Sequence, residues 1–115
     1  MPTQTMTGLG SIGAVEYVEP AILTGQPATR ASDVWSLGAT LHRALAGEGV
    51  YGEMPLNDPL LCVRKVLSSR PKISQELTTE ETALVERCLA PDPQDRPNDA
   101  PTLARELEVL AGSAA

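Results

Sequence analysis

The run from Ser32 to Gly47, SDVWSLGATLHRALAG, restricts what this chain can fold into more than any other stretch. Val34, Trp35, Leu37, Leu41, Ala44 and Leu45 recur at helical spacing, and Gly47 supplies the stop. Gly38, Ala39 and Ala46 fill much of the remaining circumference, leaving Ser36, Thr40, His42 and Arg43 as the main polar interruptions. A helix that is apolar on most sides belongs in the middle of a structure, sheathed by other elements. Ser32 or Asp33 is expected to cap its first turn.

The rest of the sequence supplies elements that could pack around it. Aromatic residues make up only 3% of the 115 positions and Phe is absent, so the core has to be built from Leu, Val and Ala, which favours helices. The expected fold is all-α, with four main helices after an irregular N-terminal segment. Residues 1–18, rich in Thr, Gly and Ser, carry no helical period. Pro20 opens a short helix through about Leu23, closed by TGQP. Asp58 as cap and Pro59 in first position start a helix with Leu60, Val63 and Leu67 on one face, ending over Ser68 to Pro71. Thr78 with Glu81 forms a capping box ahead of Leu84, Val85, Cys88 and Leu89. Asn98 is expected to cap a last helix whose Leu103, Leu107 and Leu110 face inward, with Pro101 tolerated in its first turn.

A formal charge of −6 leaves little for phosphate-backbone contacts, so nucleic acid is not an expected partner. No stretch approaches the roughly 20 apolar residues of a membrane span, and the first residues lack a signal peptide's charged and apolar regions. A cytoplasmic location follows as the expectation. Cys62 and Cys88 sit within apolar helical patterns and read as buried free thiols rather than a disulfide or metal ligands.

Three stretches, in this order, resemble the final part of a bacterial Hanks-type Ser/Thr protein kinase domain. Ser32 to Gly47 looks like that family's central αF helix, written D-V-[WY]-S-[LF]-G. Asp58 to Leu67 looks like αG, and LVERCLAPDPQDRP, Leu84 to Pro97, resembles αH and the loop holding the family's late arginine, here Arg96. GAVEYVEPA, Gly13 to Ala21, is similar to the end of the activation segment, G-T-x-x-Y-M-A-P-E, with Tyr17 and Pro20 on the motif's Tyr and Pro. The resemblance implies that residues 1–31 are the end of an activation segment with a short helix, and residues 32–115 the helical part of the C-lobe. It also implies protein substrates or docking partners, and, in a complete enzyme, ATP and Mg as cofactors.

Gly8, Gly10, Gly13 and Val15 also satisfy G-x-G-x-x-G-x-V, the glycine-rich loop that covers nucleotide phosphates. A strand lysine, a helix glutamate, H-R-D and D-F-G should then follow, yet the first lysine is Lys65. The activation-segment alignment is therefore preferred. His42 to Gly49 imitates H-R-D-L-x-x-x-N, but Ala44 stands where the base should be and Gly49 where the metal ligand should be. No catalytic, cofactor or metal residue is expected in this chain, which is expected to be inactive alone. His42 is read as a surface or packing histidine.

The resemblance assigns structural positions to Asp33, Gly38 and Arg96, and a substrate loop to Gly13, Val15, Glu16, Tyr17 and Pro20. Asp33 is either a helix cap or the aspartate that props the catalytic loop. Arg96 resembles the arginine that pairs with the glutamate of A-P-E. Ala21 occupies that glutamate position, so Arg96 pairs with Glu19, turns to backbone carbonyls, or lies on the surface. Ala14, in place of the substrate-loop threonine, is a second departure. Thr3, Thr5, Thr7 and Ser11 fall where such kinases carry activating phosphorylation, or else belong to a polar tail. Leu60, Val63 and Leu67, with Val50, Tyr51 and Met54, form either a docking surface or core. Apolar surface left on the central helix could also join copies into a homo-oligomer.

Overall fold

The computed structural model describes residues 12–114, and among them it contains helices and turns but no strand. A 3-10 turn over Ile12–Tyr17 leads into α1 (Pro20–Leu23) and α2 (Arg30–Ala46). Then come α3 (Pro59–Ser68), α4 (Thr79–Cys88), a 3-10 turn at Pro93–Asp95, and α5 (Ala100–Ala114). The all-α expectation therefore holds. The 3-10 turn over Ile12–Tyr17 was not legible, because a 3-10 segment leaves no 3.6-residue apolar period to read.

The helix ends follow local chemistry. α2 starts earlier than expected, and neither Ser32 nor Asp33 is its cap. Thr29 is extended, and its hydroxyl accepts the Ser32 N–H at 3.1 Å while its own N–H donates to the Ser32 hydroxyl at 2.6 Å. This is a reciprocal capping box with serine in the position usually held by Glu or Gln. Asp33 lies one turn in and is exposed. At the other end Gly47 takes φ 77° and donates its N–H to Arg43, a left-handed stop that suits glycine. Asp58 with Pro59, and Thr78 with Glu81, cap α3 and α4 as expected. At α5, Asp99 rather than Asn98 accepts the Thr102 N–H and hydroxyl, at 2.9 and 2.7 Å. Those two bonds hold the Asp99 carboxyl below its ordinary 3.8.

α2 is the centre of the packing. Trp35 and Ala39 enter one cluster with Val15, Val50, Cys62, Val66 and Val85, and Val34 enters a second with Leu84, Cys88 and Leu103. Gly38 faces α4, and a Cβ there would overlap the Cβ of Cys88. The glycine lets the two backbones approach more closely than any side chain would permit. Burial pushes the Cys88 thiol up to about 11.

The sheath is incomplete. Asp33, Leu37, Thr40 and Ala44, spaced as one helical stripe, are all exposed, and Leu37 and Leu45 each retain 41% of their surface. α3 turns a different apolar face inward from the one that Leu60, Val63 and Leu67 share. Its core face is Cys62 and Val66, with Val63 half-buried, whereas Leu60 and Leu67 are 69% and 46% exposed. Both faces of that helix carry apolar residues, so periodicity could not say which one meets the core.

Candidate functional site

The residues singled out from the sequence converge on the segment between the first 3-10 turn and α1. Gly13 lies in that turn, Val15 is buried against α2, and Glu16 is buried beside it. Tyr17 packs partly on the same core. Partial burial, followed by the negative charge of Glu16, holds its phenol above the ordinary 10.0. Pro20 occupies the first turn of α1, where its missing N–H is not needed. Thr3, Thr5, Thr7 and Ser11 lie outside the described residues.

Arg96 fixes this segment to the helices. Its guanidinium is buried, with 1% of the side chain exposed, and donates three ways: Nε to the Ala90 carbonyl at 2.9 Å, Nη1 to the Ala31 carbonyl at 2.9 Å, and Nη2 to the Glu19 carboxylate at 2.7 Å. The end of α4, the first turn of α2 and the entry to α1 are thereby tied by one planar group. Of the three expectations for Arg96, the surface position is excluded, and pairing with Glu19 and bonding to carbonyls both occur. Glu19 precedes α1 but makes no side-chain cap bond, since its carboxylate turns to Arg96. With Ala21 at the position aligned to the motif's glutamate, the partner carboxylate stands two residues earlier.

His42 is a packing residue, with none of its surface exposed. Nδ1 lies 2.9 Å from the Glu48 carbonyl, which can only accept, and Nε2 takes the Ser74 N–H at 2.9 Å. The ring is therefore the neutral tautomer with its proton on Nδ1, pinning the loop after α2 to the loop before α4. No sequence pattern marked that role. Val50 and Tyr51 in the first loop are also core, and Tyr51 Oη is buried with no hydrogen-bond partner among the described residues. Burial pushes its phenol up to about 12.

The first of these loops also closes a cavity of about 660 Å³ lined by Glu16, Tyr17, Arg43, Glu48, Glu53 and Met54, among others. Gly49 is buried against the Glu16 carboxylate, which occupies the space a Cβ would need. Sequence reasoning assigned Gly49 no task, because only the folded chain places residue 16 against it.

Among the described residues no three His, Cys, Asp or Glu side chains are placed to hold a metal ion, and Asp33 is exposed on a helix flank.

Comparison with known proteins identifies the family. Residues 4–107 match the family model described as "Protein kinase domain". The chain is 36% identical over 108 residues to the serine/threonine-protein kinase PknK of Mycobacterium tuberculosis, covering 90% of this chain and 10% of that protein. It is 33% identical over 100 residues to the serine/threonine-protein kinase PkaA of Streptomyces coelicolor, covering 87% and 18%. It is 31% identical over 110 residues to mitogen-activated protein kinase kinase kinase 10 of Mus musculus, covering 94% and 11%. The chain thus spans less than a fifth of the length of each of these relatives. With nearly the whole sequence inside the match and the segment around Tyr17 anchored by Arg96, the chain belongs to the protein kinase domain family.

Proposed function

We propose that this chain is the late C-lobe portion of a bacterial Hanks-type Ser/Thr protein kinase, with residues 1–31 as the end of the activation segment and 32–115 as the helical platform behind it. The complete enzyme would transfer the phosphoryl group of ATP to Ser or Thr of a protein substrate. In this reading Gly13, Val15, Glu16, Tyr17 and Pro20 form the substrate-facing loop, and Thr3, Thr5, Thr7 and Ser11 are the phosphorylation candidates. Asp33 and Gly38 serve as structural positions. Asp33 is free to receive backbone N–H groups from a polypeptide laid along the exposed stripe of α2. The supporting observation is the buried Glu19–Arg96 pair, which holds the segment 13–20 in one place on the helices.

The reading includes inactivity of the chain in isolation, because its sequence matches no family motif that cradles phosphates or orients a hydroxyl nucleophile. Incubating the purified chain with labelled ATP and a generic acceptor protein should give no incorporation. Incorporation that persists through repeated purification would overturn the reading. The coding sequence upstream of Met1 should, on the same reading, encode a glycine-rich loop, a strand lysine, H-R-D and D-F-G.

A second reading, a noncatalytic kinase-like module that docks on another protein, is favoured by one observation: Leu60, Leu61 and Leu67 are exposed together on α3. An upstream sequence lacking those four motifs would select it.

A further inference from the structure

Two surfaces in separate parts of the fold complement each other. Between α4 and α5 runs a groove of about 340 Å³ whose apolar wall is Ala83, Leu84, Val109 and Leu110. Val109 keeps 68% of its surface there, so the two helices leave the groove open. Glu80 and Glu106 line it as well, with Arg87 already paired to Glu106. Across their whole length α4 and α5 hold Glu80, Glu81, Glu86, Glu106 and Glu108 against Arg87 and Arg105. The outer surface of α3, which packs on the first 3-10 turn and α1, is the converse. Leu60, Leu61 and Leu67 surround Arg64 there, all exposed, at a spacing that sets them together on the side away from Cys62 and Val66. Residues 59–75 contain four cations, Arg64, Lys65, Arg70 and Lys72, and no carboxylate, in a chain of net charge −6. One molecule thus carries an apolar ridge in basic surroundings and an apolar groove in acidic ones.

We propose that the groove between α4 and α5 of one copy of this chain receives the outer face of α3 of a second copy, leucines against the apolar wall and Arg64 beside Glu80. Burial of apolar surface supplies the attraction, and opposite charge sets the orientation. Charge also selects this pairing over the symmetric ones. Ridge against ridge would set Arg64, Arg70 and Lys72 against their own copies, and groove against groove would do the same to Glu80 and Glu106. Because ridge and groove are different surfaces, the contact is head-to-tail, each added copy offers a free face, and association proceeds past the dimer. A short helix in a groove of this size buries little area, which places the contact among weak, concentration-dependent ones. The inference rests on neither reading of the whole protein, since it uses no substrate, nucleotide or upstream segment.

The test is sedimentation equilibrium of this chain over a range of concentrations. At low salt the average mass should rise with concentration past that of a dimer, and added salt should lower it. Leu60→Glu removes the ridge and Val109→Glu blocks the groove, each at a side chain that is mostly exposed in the single copy. Either change should weaken association at least about tenfold. An equimolar mixture of the two should form a one-to-one complex and nothing larger, since Val109→Glu brings the only intact ridge and Leu60→Glu the only intact groove. Leu37→Lys, on the exposed stripe of α2, should leave association unchanged. If circular dichroism shows that Leu60→Glu or Val109→Glu has not folded, a charge exchange decides instead: Arg64→Glu should weaken association, and adding Glu80→Arg to the same chain should restore it. A wild-type chain that stays monomeric, a mixture that does not associate, or a double charge variant that is not restored would each overturn the proposal. So would a loss in Leu60→Glu with Val109→Glu unaffected, which would show ridge-to-ridge pairing, or an equal loss in Leu37→Lys, which would move the contact to α2. None of these readouts involves phosphoryl transfer, so the kinase reading and this one fail separately.

Discussion

Arg96 Nη2 meets the Glu19 carboxylate across 77 residues of sequence, at 2.7 Å and almost out of contact with solvent. The same guanidinium satisfies two backbone carbonyls, so the charge is both paired and hydrogen-bonded. That combination is what makes a buried ion pair tolerable, and removing one partner is far worse than never having had the pair. Arg96→Ala should therefore destabilise the fold by about 3–5 kcal/mol. Arg96→Lys should recover little, since an ammonium cannot reach three partners in one plane. Urea unfolding of Arg96→Ala, Glu19→Gln and the double variant is the check, with a coupling of at least about 1 kcal/mol expected. Additive effects would mean that the pair contributes nothing beyond its separate groups.

The glycines of two helices should respond in opposite ways to the same substitution. Gly38→Ala forces a Cβ into Cys88 between α2 and α4 and should cost about 1–3 kcal/mol through overpacking. Gly112→Ala in α5 meets nothing within 4 Å and should stabilise by about 0.5–1 kcal/mol through helix propensity alone. Thermal midpoints of the two variants, measured side by side, decide the matter.

Among the described residues none offers the Tyr51 hydroxyl a hydrogen bond. Tyr51→Phe keeps the ring in the core and deletes the unpaired group, so it should raise stability by about 1 kcal/mol. A loss of stability of that size would show that the hydroxyl has a partner in solution.

Alkaline pH should weaken the fold through two buried acids. The Cys88 thiol is pushed up from 9.0 to about 11 and the Tyr51 phenol from 10.0 to about 12, in both cases first by burial. Below pH 9 each group is protonated in folded and unfolded chains alike, and the full stability is present. As pH rises from 9 towards 12 the unfolded chain releases protons that the folded chain retains, so stability falls. Denaturant midpoints should decline over that window, and Cys88→Ala should flatten the part between pH 9 and 11. An unchanged slope in that variant would remove Cys88 as a cause. Alkylation of Cys88 at pH 8 should be slow and limited by unfolding.

His42 joins two loops through opposite sides of one ring. His42→Leu nearly preserves volume but leaves the Glu48 carbonyl and the Ser74 N–H without the ring's hydrogen bonds, for a loss of about 2–3 kcal/mol. Amide hydrogen exchange should show Ser74 deprotected far more than amides within α5. Uniform deprotection would assign the histidine a packing role only.

Local chemistry wrote much of this protein plainly into its sequence. Pro20, Asp58 with Pro59, Thr78 with Glu81, and Gly47 mark helix ends through hydrogen bonds within a few residues, and those ends fall where they were expected. The caps at Thr29 and Asp99 were displaced by a few residues because several neighbouring side chains could each accept the same N–H groups. The family, too, was legible, since its motifs are contiguous runs around Trp35, Tyr17 and Arg96. Tertiary structure alone decided which face of α3 turns inward, because Leu60 and Cys62 are both apolar and only the shape of the neighbouring core separates them. It alone gave Arg96 both Glu19 and two backbone carbonyls as partners, and set the Glu16 carboxylate against Gly49. Pattern reports which residues prefer to leave water, but the choice among equivalent partners depends on distances that exist only once the helices have packed.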